Sequence, residues 1–145
     1  MSITITIANN REHARQHGNV RTETFDCDMC ERKSNDCQFC QGTGKVTFER
    51  LDHELNLANG NFSTLWNSLG LDVKPFGEID GRTLARAVET LDPSLAVRSP
   101  SVEYRNERPF VYGGGIDREQ VNRYIGSLLA IAREAERREE LVIWG

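Results

Sequence analysis

At 145 residues, with 38% hydrophobic and 28% charged side chains, the chain suits one compact domain or a small metal-stapled module joined to a modest second one. No apolar run approaches the ~18–20 residues that span a bilayer, and the start MSITITIANNREHARQHG has no basic n-region, continuous apolar stretch or small-residue cleavage site, so a cytoplasmic, non-membrane protein is expected. The net charge is −4; residues 1–50 carry seven basic and seven acidic side chains and the rest eleven and fifteen, which argues against non-specific nucleic-acid binding through a basic face.

Ser2 to Ala8 alternates strictly, Ile3, Ile5 and Ile7 against Thr4 and Thr6, and predicts a strand with one buried face. Arg11 to Gly18 is polar and reads either as a helical turn closed by Gly18 or as a loop. Val20–Phe25 and Lys45–Leu51 flank a cysteine-bearing stretch and both look extended, which fits a β-hairpin whose strands pair below its tip. Glu54–Ala58 continues as a strand. Phe62, Leu65, Trp66 and Leu69 then fall at i, i+3, i+4 and i+7, one face of a short helix with Asn61 as its N-cap and Gly70 just past its end.

Asp80 caps a second helix over 81–91, with Leu84, Ala87, Val88 and Leu91 as its stripe. Residues 92–115, with Pro93, Pro100, Pro109 and three consecutive glycines, read as a long loop with a short strand near Phe110–Tyr112. Asp117 caps the longest helix, about 118–139, whose apolar stripe is Val121, Ile125, Leu128, Leu129, Ala132 and Ala135. Glu119–Arg123 and Glu134–Arg138 add i, i+4 pairs. Leu141–Trp144 reads as a strand joining a sheet, and Trp66 and Trp144 are expected in the core.

All four cysteines lie within 18 residues, as Cys27-Asp-Met-Cys30, six residues, then Cys37-Gln-Phe-Cys40. Two CxxC knuckles supply the four sulfurs that a structural Zn²⁺ prefers, so Cys27, Cys30, Cys37 and Cys40 are the expected metal ligands of one Zn²⁺. The bland alternative, four unlinked thiols, requires all four to cluster by accident. A redox CxxC normally stands beside a βαβ pattern, and neither knuckle here is followed by a helical pattern. A complete thiolate shell leaves no position for a reactive water, which makes the expected zinc structural.

The second knuckle runs on as Cys40-Gln-Gly-Thr-Gly44, and over residues 27–44 the chain resembles one CxxCxGxG repeat of the DnaJ-type cysteine-rich zinc domain. The resemblance implies a zinc-ribbon hairpin whose glycines permit the tight backbone beyond the knuckle, and a role in binding polypeptides. The chain departs from that family in that Glu31-Arg32-Lys33 follows the first knuckle in place of glycines, only one zinc site is present, and there is no J-domain.

Other motifs have two readings each. His13 and His17 stand four apart, the spacing of a metalloprotease pair, but Ala14 occupies the place of the catalytic Glu; with His53 they also read as exposed histidines in polar surroundings. Asn59, Gly60 and Asn61 precede one helix, and Gly113, Gly114 and Gly115 another; such turns cradle anions through backbone N–H groups, or are plain turns. Neither matches a nucleotide-binding fingerprint, and Asp117 opposes a phosphate near the second. Tyr104, Arg105, Arg108, Phe110 and Tyr112 interleave aromatic and basic groups that could stack a base or meet a partner, or anchor a surface loop. No GxSxG, HExxH or partnered carboxylate pair is present.

The expected protein is α+β: a small mixed sheet, a zinc-ribbon β-hairpin near the N-terminus and about three helices, with residues 1–50 carrying the first strand and hairpin and 51–145 completing the sheet. The expected function is that of a non-enzymatic zinc-binding adaptor with a protein partner. The alternative is a binder of a small anionic ligand such as a nucleotide at the Asn59–Asn61 and Gly113–Gly115 turns, an arrangement compatible with a homo-oligomer. An enzyme with an unrecognised site is the reading favoured least.

Overall fold

A computed structural model describes residues 2–27, 37–100, 102–105, 108–111 and 115–145, the segments at 102–105 and 108–111 by their backbone alone. The chain divides into two compact units, one of residues 1–8 with 53–145 and the other of residues 9–52.

The larger unit is a four-stranded sheet with helices on one face. Strands β1 (Ser2–Ile7), β4 (Glu54–Ala58), β5 (Gly77–Asp80) and β8 (Leu141–Trp144) lie in the order β4-β1-β8-β5. The alternation expected for β1 is present: Ile3, Ile5 and Ile7 are buried and Thr4 and Thr6 half-buried between them. Cross-strand pairs carry that pattern across the sheet, with Ile3 opposite Leu57, Ile7 opposite Val142, and Ile79 opposite Val142. The outer face is polar or only partly covered, with Thr6 between Glu54 and Ile143. A mixed sheet is expected from the sequence, but every pairing of this sheet among the described residues is antiparallel. The two upward strands, β1 and β5, are separated by β8, so no βαβ crossover ever places parallel strands side by side.

Helices α2 (Asn59–Ser68), α3 (Gly81–Glu89) and α4 (Arg118–Arg138) cover the apolar face. Their termini follow the local signals: Asp80 accepts from the Thr83 N–H at 2.9 Å, and Asp117 and Gln120 form a capping box. Gly70, at φ 70°, closes α2, with Leu71 N–H donating to Trp66 O at 3.0 Å. The core contains Phe62, Leu65 and Trp66 of α2, Leu84 and Val88 of α3, and Val121, Leu128, Ile131, Ala132 and Ala135 of α4. The span expected as a loop holds a 3₁₀ turn at Pro93–Ala96 and a hairpin of β6 (Val102–Arg105) and β7 (Arg108–Val111), in which Tyr104 pairs with Pro109. Tyr112 lies outside the described residues.

The smaller unit holds α1 (Asn10–His17) and the hairpin of β2 (Val20–Asp26) and β3 (Lys45–Leu51), paired from Val20–Leu51 to Asp26–Lys45. Of the two readings for residues 11–18 the helical one holds, closed by Gly18 at φ 70°. Asn10, buried, ties the start of α1 to the end of the unit by donating to Asp52 O at 2.8 Å. Arg11 and Arg15 reach Glu49 on β3.

Candidate metal centre

The strands β2 and β3 deliver their ends to the cysteines. Cys27 follows β2 directly, and its N–H donates to Gly44 O at 2.8 Å, closing the hairpin just before Lys45 begins β3. Cys37 and Cys40 lie on a tight turn in which Gln41 N–H donates to Cys37 O at 2.7 Å and Thr43 N–H to Cys40 O at 3.0 Å. The Thr43 hydroxyl lies 2.6 Å from Cys40 O and accepts the Lys45 N–H at 3.2 Å, pinning the turn to the first residue of β3. Gln41, Gly42 and Gly44 all have left-handed backbone, at φ 50°, 79° and 71°. Glycine adopts that region without the Cβ clash other residues meet, which is the reason for glycines after the second knuckle.

This backbone brings the sulfurs of Cys27, Cys37 and Cys40 to within 4.8 Å of one another. Cys27 Sγ and Cys37 Sγ are 3.8 Å apart, far beyond the ~2.05 Å of a disulfide. Cys27 and Cys40 are buried and Cys37 is half-buried. The three thiols could hold a metal ion, and they are the one group of three or more such ligands among the described residues. Cys30 lies outside the described residues.

The histidines do not join this group. His13 and His17 share one face of α1, as a helix requires, with rings stacked at 4.1 Å and 16° and His17 Nδ1 2.9 Å from His13 O. His53 turns the chain into β4 at φ 60°, its carbonyl accepting from the Thr6 hydroxyl at 3.2 Å.

Asn59, Gly60 and Asn61 form the first residues of α2 rather than a turn before it, and Gly60 and Gly115 both lie against an arginine, Arg98, that the sequence did not single out. The guanidinium of Arg98 lies 3.2 Å from where a Cβ on Gly60 would stand, and Arg98 O lies 2.6 Å from where a Cβ on Gly115 would stand. Arg98 and Ile116 form an isolated bridge that fixes this junction, with N–H to O distances of 3.0 and 2.8 Å. Nothing local marks Arg98: its neighbour is set by a pairing 18 residues away. Asn61 is not the N-cap. The helix starts at Asn59 with Ala58 in the cap position, and the Asn61 side chain instead donates to Tyr124 OH at 3.4 Å. Gly113 and Gly114 lie outside the described residues.

No helix among the described residues is long and apolar enough to cross a membrane. The chain matches no protein-family model, no curated protein and no solved structure.

Proposed function

We propose that the protein is a non-enzymatic binding module whose hairpin is held by one structural Zn²⁺ on Cys27, Cys30, Cys37 and Cys40. The observation that carries this reading is the convergence of three of those sulfurs within 4.8 Å. A tetrahedral site with Zn–S bonds near 2.3 Å has sulfurs about 3.8 Å apart, and Cys27 and Cys37 are separated by 3.8 Å. The spacing of Cys30 from Cys27 makes it the fourth ligand, since a CxxC turn directs two sulfurs to one ion. Bound zinc would supply cross-linking and charge compensation, and with four thiolates around it no position remains for a substrate.

A protein partner is the favoured occupant of the hairpin. Cross-strand register puts Phe25, Val46 and Phe48 on one face of the ribbon, with the Phe25 and Phe48 rings 6.2 Å apart and each about half exposed. The likeness to the DnaJ-type repeat points the same way. Elemental analysis of freshly purified protein tests the metal: one equivalent of zinc is expected, and less than about half an equivalent overturns the proposal, because folding and metal binding are coupled. Deletion of residues 27–40 then tests the partner surface and should abolish binding of any protein that co-purifies.

The second reading, a small anionic ligand, is favoured by the Arg98 guanidinium beside Gly60 at the start of α2, where no side chain caps the helix. A thermal-shift screen with nucleotides should then show stabilisation that Arg98→Met removes; a shift unchanged in that variant rejects it.

A further inference from the structure

His13 and His17 carry a metal-ligand spacing that the cysteine cluster does not use. They stand four apart on α1, and the Cβ atoms of such a pair lie about 5–6 Å apart on one face of a helix. The helix delivers both rings to that face, stacked with centroids 4.1 Å apart and planes 16° from parallel.

Hydrogen bonding sets which ring nitrogens can take an ion. His17 Nδ1 lies 2.9 Å from His13 O. A carbonyl oxygen only accepts, so Nδ1 carries the proton and the neutral ring keeps its lone pair on Nε2. The same kind of backbone bond orients imidazoles that ligate metals. His17 is exposed, and His13 is half-buried with its Nδ1 inside, which makes Nε2 its ligand atom. The electrostatics suit a cation. His17 is the last residue of α1, at the negative end of the helix dipole. The arginines of the helix, Arg11 and Arg15, are drawn to Glu49 on β3 at 3.3 and 3.9 Å.

We propose that His13 and His17 form a second metal site, open to solvent, for a divalent transition-metal cation that favours imidazole. Two nitrogens hold the ion and water fills its remaining positions, so this site exchanges its metal where a shell of four sulfurs is closed. The preference follows the intrinsic order of such cations, Cu²⁺ above Ni²⁺ and Ni²⁺ above Co²⁺. Stacked rings do not aim their lone pairs at one point, so the ion turns them toward each other and ends the stacking. The site uses no cysteine and does not depend on the zinc reading.

The test titrates the full-length, tag-free protein, given one equivalent of Zn²⁺ for the cysteines, with Ni²⁺, which unlike Cu²⁺ does not oxidise thiols. Calorimetry should show saturable binding of one Ni²⁺, with Co²⁺ weaker. His13→Ala and His17→Ala should each weaken Ni²⁺ by at least tenfold, since loss of even a supporting group costs about 10–100-fold in metal affinity. His53→Ala should leave it unchanged. No saturable binding overturns the proposal, as does a loss in only one of the two variants, which would mean a lone surface histidine. A Ni²⁺–thiolate absorption band would place the ion on the cysteines and overturn it too. Should a variant lose its helical circular dichroism, proton NMR of the unaltered protein decides. Paramagnetically shifted imidazole signals from two histidines support the site, and signals from one or none reject it.

Discussion

Gly77 and Trp144 face each other across the β5–β8 pair, and the Trp144 indole fills the space that a side chain at Gly77 would need. A Cβ there would stand 2.8 Å from Trp144 Cε2, and closer still to the outer ring. The glycine is therefore required by packing, with the aromatic ring covering a bare stretch of edge strand. Gly77→Ala should push Trp144 off the sheet and break its bond to Lys74 O, destabilising the unit by roughly 1–3 kcal/mol, the usual cost of overpacking. Urea titration followed by tryptophan emission measures this; an unchanged midpoint and spectrum would show that the ring can move at no cost.

Gly81 plays a similar part between helices. It opens α3, and a Cβ on it would lie 2.7 Å from Glu136 N and 3.1 Å from Ala135 Cβ. The neighbouring atoms are mostly backbone of α4, which cannot rotate away. Gly81→Ala should separate α3 from α4 and cost on the order of 2 kcal/mol, despite the better helix propensity of alanine. A thermal melt at or above that of the unaltered protein would contradict the tight crossing.

The parts of this fold legible in sequence are those decided locally. The period-two run Ile3, Ile5, Ile7 marks β1, the caps Asp80 and Asp117 mark helix starts, and the cysteine spacing marks the turn that gathers Cys27, Cys37 and Cys40, because each signal lies within a few residues. What escaped was decided at long range. Asn61 has the side chain of a cap, but Tyr124, 63 residues on, takes its hydrogen bond. Leu141–Trp144 reads as a strand, yet nothing in four residues reveals that it lies between β1 and β5 or that the whole sheet is antiparallel. The Arg98 junction is assembled from three segments far apart in sequence, so no motif could announce it. The expected stripe of α4 likewise omitted Ile131, which is buried against the same core.

Glu134 provides a pH-dependent element on α4. Hydrogen bonds from Arg137, and then from Arg138 at 2.7 Å, outweigh burial and lower its carboxyl pKa from 4.5 to about 2. A carboxylate whose pKa is lower in the folded state contributes stability above its unfolded pKa and loses it as pH falls through the folded one. The contribution is therefore full near neutrality and fades between about pH 4.5 and 2. Solvent around the exposed Arg137 screens the pair, leaving on the order of 1–2 kcal/mol. Glu134→Gln should lower stability by that amount at pH 7 and by almost nothing at pH 2. Denaturant midpoints at the two pH values check it, and an equal deficit at both would assign the effect to packing.

The hairpin unit should depend on metal where the larger unit does not. Among the described residues of 9–52 only Asn10, Ala14, Cys27 and Cys40 are buried, and two of those are proposed ligands. A two-stranded hairpin with so little apolar burial is marginal on its own. The larger unit keeps its own core, which includes Trp66. Chelation of zinc, or Cys27→Ser, should therefore unfold the hairpin and lose part of the far-ultraviolet circular dichroism while tryptophan emission stays native. Amide hydrogen exchange would place the lost protection in β2 and β3. Undiminished protection there after chelation would mean that the strands hold without the metal. The thiol cluster would then be a consequence of the fold rather than its staple.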